Sequence, residues 1–204
     1  LWGQYTSIAL NGSGEPRIAY HDATNGDLWY VAKAGSSWGT PVNVAGGGKG
    51  ASLALDASGH AHISHVLGAA LSYAHWNGSS WQTETVVADE VEDEQTSIAI
   101  DSSGYPHIAY ASQDGIQYAF WSGSSWSVET IHFIPDAGSV GVSSPSLVLD
   151  SNDDPFISYH GDMWGELAVV VAVRIGVNDW TTPAFLLEGT IPGGQTSIGV
   201  DTND

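Results

Sequence analysis

At 204 residues the chain is long enough for one well-buried domain or a closed ring of small repeats. Its 42% hydrophobic content, 25 glycines and 9 tryptophans suit an ordered, turn-rich all-β protein and exclude a disordered one. Four basic residues (Arg17, Lys33, Lys49, Arg174) face 23 acidic ones, and a net charge of −19 repels phosphate backbones and anionic headgroups, which argues against nucleic-acid partners.

With no cysteine there is no disulfide framework and no thiolate chemistry. The longest apolar run, residues 167–173, is strand-sized and far short of a membrane span, so no membrane insertion is expected.

In chain order, one segment recurs: Thr-Ser-Ile-Ala-Leu at 6–10, Ala-Ser-Leu-Ala-Leu at 51–55, Thr-Ser-Ile-Ala-Ile at 96–100, Pro-Ser-Leu-Val-Leu at 145–149 and Thr-Ser-Ile-Gly-Val at 196–200. The starts lie 45, 45, 49 and 51 residues apart. Each copy is a predicted strand, and the first four lead into turns opened by Asn11, Asp56, Asp101 and Asp150, three of them closed by Gly14, Gly59 and Gly104. Asx side chains that cap backbone N–H groups, with glycine where φ is positive, make hairpin turns. A second strand follows at 16–20, 61–65, 106–110 and 155–159, and a third at 28–32, 71–76, 116–121 and 167–173. Gly-Ser-Ser-Trp turns end at Trp38, Trp81 and Trp126, with a degenerate copy ending at Trp180. A fourth strand, such as 128–133, closes each unit.

Four short antiparallel strands in about 45 residues is the period of a β-propeller blade. No window carries a 3.6-residue helical period. In the first strand Ile98 and Ile100 oppose Ser97 and Ala99, and the same split holds at Ile8 and Leu10 and at Leu53 and Leu55. One face is bulky and the other shallow, so successive blades can nest. The expected fold is all-β: four four-stranded blades (repeats 6–50, 51–95, 96–144 and 145–195) plus the first strand of a fifth, 196–204. Residues 1–5 are too few to complete that fifth unit. Three arrangements follow: a fragment of a larger propeller, which is the simplest; a four-bladed ring with an extra strand; or several chains sharing one ring.

The Gly-Ser-Ser-Trp turns resemble the Asp-box repeats of sialidase-like propellers, whose motif is Ser-x-Asp-x-Gly-x-x-Trp. Here Lys33, Trp76 and Trp121 stand at the Asp position, and Val31, Ala74 and Ala119 at the Ser position. A second resemblance is to the fungal fucose-lectin propellers. It rests on the strand order seen in Ile108 to Tyr110, Ile116 to Trp121 and the turn from Gly123 to Trp126. That resemblance implies a sugar held by an Arg on the second strand, a Glu on the third and a Trp. Only Arg17 supplies the Arg; His62, His107 and Phe156 replace it, and the Glu is missing from all four third strands. Two arginines on different blades also fall short of the cluster a sialidase needs for its substrate carboxylate.

Most acids fall in hairpin turns, where they cap backbone rather than react. The slot of Arg17, His62, His107 and Phe156 reads as packing between blades. The once-per-blade Trp38, Trp81, Trp126 and Trp180 read as structural wedges under the outer strand. His21 and His160 share one slot before the loop joining strands two and three, with Asp22 and Asp162 beside them and Trp164 in the loop of the fourth unit. The run 89–94 between units two and three holds five acids in six. These groups are expected on one propeller face, so His21, Asp22, His160, Asp162 and Trp164 form the candidate binding set. Imidazoles and carboxylates together are also a ligand set for a divalent metal, although no local His-x-x-x-His spacing supports one; no resident cofactor is expected. The reading is a non-catalytic binding or scaffolding module in an extracellular or cell-surface setting. It takes a glycan or protein ligand on a loop face and assembles with further blades or another copy of the chain. The alternatives are a hydrolase using acids and His on one face, or a structural repeat of a larger surface protein.

Overall fold

The computed structural model describes residues 3–88, 91–133, 143–163, 166–181, 184–188 and 195–201. Its strands fall into four antiparallel sheets, each drawn from consecutive chain. The first contains β1 (Gly3–Leu10), β2 (Pro16–Asp22), β3 (Asp27–Ala34), β4 (Ser37–Trp38) and β5 (Val42–Gly46). The second contains β6 (Lys49–Leu55), β7 (Ala61–Leu67), β8 (Ala70–Trp76) and β9 (Trp81–Val87). The third is β10 (Val91–Ile100), β11 (Pro106–Ser112), β12 (Gly115–Trp121) and β13 (Trp126–Phe133). The fourth is β14 (Ser143–Leu149), β15 (Pro155–Met163), β16 (Glu166–Gly176), β17 (Asp179–Trp180) and β18 (Ala184–Glu188). These are four blades of a β-propeller. In blades one and four the expected single fourth strand is split in two, β4 with β5 and β17 with β18. In blade one Pro41 stands in the break; proline has no N–H to give the ladder and is tolerated only on such an outer edge.

Turn chemistry accounts for the hairpins. Asn11 Oδ1 accepts the N–H groups of Ser13 (3.0 Å) and Glu15 (2.8 Å). Asp56, Asp101 and Asp150 repeat this with Ser58 and His60, Ser103 and Tyr105, and Asn152 and Asp154. The last turn position has positive φ each time, filled by glycine in three copies and by Asp153 (φ 65) in the fourth. These acids are therefore spent on folding.

The inner strands pack side by side through a repeated polar stitch. The hydroxyls of Ser7, Ser52, Ser97 and Ser146 accept the N–H groups of Leu53, Ile98, Leu147 and Ile198. Residues 195–201 thus sit against blade four as each inner strand sits against the blade before it. Thr196 strengthens that seat by donating to the Ser144 carbonyl at 2.6 Å.

Between blades, bulky faces nest into shallow ones. Ala19 and Leu28 of blade one pack with Leu53, Ile63 and Ala74 of blade two, and Ala109 and Tyr118 of blade three pack with Leu147, Ile157 and Tyr159 of blade four. Leu53, Ile98 and Leu147 are 6–7% exposed. Their counterpart in blade one, Ile8, is 63% exposed and Trp38 is 49% exposed, because no described segment covers that side of the blade.

Candidate functional site in the seams between blades

The predicted residues come from two different blades. His21 and His160 occupy equivalent positions in β2 and β15, both buried, and each Nδ1 lacks a protein partner. They belong to the first and fourth sheets. The His21 ring lies against Tyr5, with centroids 6.0 Å apart. Asp22 closes the β2–β3 turn. It accepts the Thr24 N–H (2.9 Å) and the Asn25 amide (2.7 Å), and the Thr24 bond leads in holding its carboxyl below the usual aspartate value. Asp162 pairs through its backbone with Leu167 in the β15–β16 ladder, and Trp164 lies outside the described residues. Among the described residues no group of three or more His, Asp or Glu is arranged to hold a metal ion.

The acidic run between units two and three enters β10 at Val91, and Glu94 is tied down. Its carboxylate takes the Tyr5 hydroxyl and the Lys49 ammonium, joining the inner strands of blades one, two and three. Those bonds hold the Glu94 carboxyl below the usual glutamate value.

The seams carry buried polar and aromatic chemistry. Trp81, Trp126 and Trp180 stand edge-on to Tyr30, Tyr73 and Tyr118 of the preceding blade, at 5.1, 5.4 and 5.2 Å. Three of the four wedges the repeat predicts are thus packed; the first-blade copy, Trp38, is half-exposed instead. The His slot is more than packing. His62 Nδ1 hydrogen-bonds the Tyr73 hydroxyl with Asp56 behind it, and His107 does the same with Tyr118 and Asp101. Burial outweighs the nearby Asp56 carboxylate and pushes the His62 pKa down to about 4.

In the seam between blades three and four, Arg174 of β16 forks Glu129 of β13. Its Nε donates to Oε2 at 3.0 Å and Nη2 to Oε1 at 2.6 Å, while Trp180 Nε1 adds a third bond at 3.1 Å. The guanidinium also lies over Phe120, 5.1 Å from the ring centroid. Burial pushes the Glu129 pKa up, but the Arg174 fork together with the Asn178 N–H and Trp180 bonds outweighs it and holds the carboxyl low. Glu129 is only 3% exposed, so Arg174→Ala strands a buried charge. The expected cost is about 3 kcal/mol in urea unfolding. The double variant Arg174→Met with Glu129→Met removes both charges and should recover most of it.

Between blades one and two lies a recess of about 360 Å³. Ala45 and Gly46 form one wall; His65, Ser72, Thr83, Glu84 and Thr85 form the other. It exists because His65 takes the slot that Tyr20, Tyr110 and Tyr159 hold in the other blades, opposite a small cross-strand neighbour, Ser72. His65 is 1% exposed, and neither ring nitrogen has a protein partner. Burial pushes its pKa down to about 4, so at neutral pH the ring offers one N–H donor and one lone pair. The signal for this site was in the sequence, as a break in the Ile-x-Tyr column, but nothing local showed that the break opens a cavity.

No protein-family model and no curated protein matches the chain. Solved structures do, at the level of fold. A protein of unknown function from Dyadobacter fermentans superposes with TM-score 0.64 at 12% identity, over 96% of this chain and 71% of that one. The six-bladed fucose-recognising lectin of Aleuria aurantia gives TM-score 0.58 at 17% identity, over 89% of this chain and 60% of the lectin. A xylan β-1,4-xylosidase from Bacillus halodurans gives 0.52 at 11% identity, over 97% of this chain and 48% of that enzyme. The chain therefore spans well under two thirds of the lectin and about half of the xylosidase. The resemblance to fucose-lectin propellers holds in three dimensions, and propeller glycosidases share the same architecture.

Proposed function

We propose that the chain is a glycan-binding propeller module and that a monosaccharide unit sits in the recess between blades one and two. The observation that carries this is His65: a buried imidazole with both nitrogens unpartnered, beside a row of hydroxyls at Ser72, Thr83 and Thr85. Sugar hydroxyls both donate and accept, so they match a neutral imidazole and a hydroxyl row. The fold likeness to a fucose-binding lectin supports the class of ligand; the different side chains imply a different mode of holding it. His21, Asp22 and His160 stand at the same end of their second strands as His65, and these three with Asp162 and Trp164 are proposed as outer contacts for a longer glycan. Binding is favoured over hydrolysis because, among the described residues, Glu84 is the one carboxylate lining the recess, where glycosidases use a pair.

The test is ligand-observed NMR and calorimetry against methyl fucoside, galactose, xylose and a glycan array. His65→Tyr restores the slot of the other blades and fills the recess without removing a packing group. It should abolish binding and leave the melting temperature equal or higher. A blank array, or unchanged binding by the His65→Tyr protein, overturns the proposal.

A further inference from the structure

The propeller repeat lets one seam be read against the next. The nest around Arg174 consists of Phe120 stacked on Tyr118 (5.4 Å, 24°), Trp180 edge-on to Tyr118, and the carboxylate of Glu129. Between blades two and three each part of that nest has its counterpart. His75 stacks on Tyr73 (5.4 Å, 19°), Trp126 stands edge-on to Tyr73, and Glu84 occupies the place of Glu129, opposite Tyr73 in the ladder as Glu129 is opposite Tyr118. One element is missing. The strand position of Arg174, which pairs with Trp180, is taken by Trp121, which pairs with Trp126. The Trp121 ring turns onto Trp126, 5.7 Å away, and supplies no charge.

Two observations show that this second nest is unfilled. A recess of about 240 Å³ opens on the blade-two wall of that seam, lined by His75, Gln82, Thr83 and Glu84. Trp126 Nε1 is buried with no protein partner, whereas its counterpart Trp180 Nε1 donates to Glu129. Without a cation to hold it, Glu84 is exposed and leaves that indole unsatisfied.

We propose that the seam between blades two and three is a binding site for a guanidinium group, an arginine side chain presented by a partner polypeptide. The chain itself shows what the nest accepts: a planar cation that stacks on an aromatic face and forks one carboxylate. On binding, the guanidinium lies over His75 and Tyr73 and draws Glu84 inward, where the carboxylate also accepts the Trp126 N–H. The net charge of −19 steers such a partner toward the protein. This site shares Thr83 and Glu84 with the lining of the His65 recess, but the aromatic stack and the Trp126 indole that define it lie on the blade-three side and need no sugar bound at His65.

The test follows the nine tryptophan indole N–H signals by NMR in 150 mM salt. Short capped peptides containing arginine, lysine or citrulline at one position are titrated in. The expected result is a saturable shift centred on Trp126 with the arginine peptide, at least tenfold weaker with lysine and absent with citrulline. Glu84→Gln should weaken binding at least tenfold. Trp121→Arg supplies the cation from within the chain; it should move the Trp126 signal in the same direction without peptide, abolish the response to peptide and raise the melting temperature. Equal shifts from the citrulline or lysine peptide would overturn the proposal. So would unchanged binding by the Glu84→Gln protein, or a shift spread over all nine indoles, the mark of diffuse attraction to an acidic surface.

Discussion

Replacing Gly50 by alanine should destabilise the protein by more than about 4 kcal/mol, lowering the melting temperature by about 10 °C or more. Each inner strand shifts register just before its repeat segment, and three of the bulge residues have positive φ: Tyr5 (49°), Gly50 (61°) and Ser144 (55°). The bulge bends the strand and re-aims its ladder. A residue with a Cβ is tolerated at Tyr5 and Ser144, but at Gly50 the added carbon would overlap the Glu94 carbonyl and stand 2.9 Å from Gln95 Cα. Both obstacles are backbone of the next inner strand, so neither can rotate away. Gly59→Ala is the control. Its φ of +80° is similarly left-handed and nothing lies within 4 Å, so only the conformational strain applies, about 1 kcal/mol. Thermal and urea unfolding of the two variants separate the clash from the strain.

Acid should destabilise the second blade before the carboxylates titrate. His62 and His65 are buried, each with a folded-state pKa pushed from 6.5 down to about 4. Between those values the unfolded chain binds the extra protons, so the stability that neutral imidazoles confer is complete above pH 6.5 and falls away as pH drops toward 4. Two such groups amount to about 4 kcal/mol lost between pH 7 and pH 5, read from urea midpoints. Asp56 and Glu129, whose pKa values are lowered in the fold, add losses of the same sign further down. Relief of acidic self-repulsion works in the opposite direction, but it begins only where carboxylates protonate, below about pH 5. His65→Tyr should remove about half of the slope. An unchanged slope in that variant would show that His65 is not kept neutral by burial.

Much of this molecule was determined by the sequence alone. Strand formation depends on alternation over a few residues, and hairpins depend on an Asx cap and a positive φ, both local. The repeat segments, the turns at Asn11, Asp56, Asp101 and Asp150, and the wedge tryptophans were therefore legible, and with them the blades. Only the tertiary structure decided the seams. Arg174 finds Glu129 across 45 residues because the shallow face of one blade meets the bulky face of the next. No period within either strand records that meeting. The recess at His65 and the empty nest at Glu84 are likewise products of what a neighbouring blade does or does not supply. Sites made by juxtaposing two repeats are set by nesting geometry, which single-strand patterns do not carry.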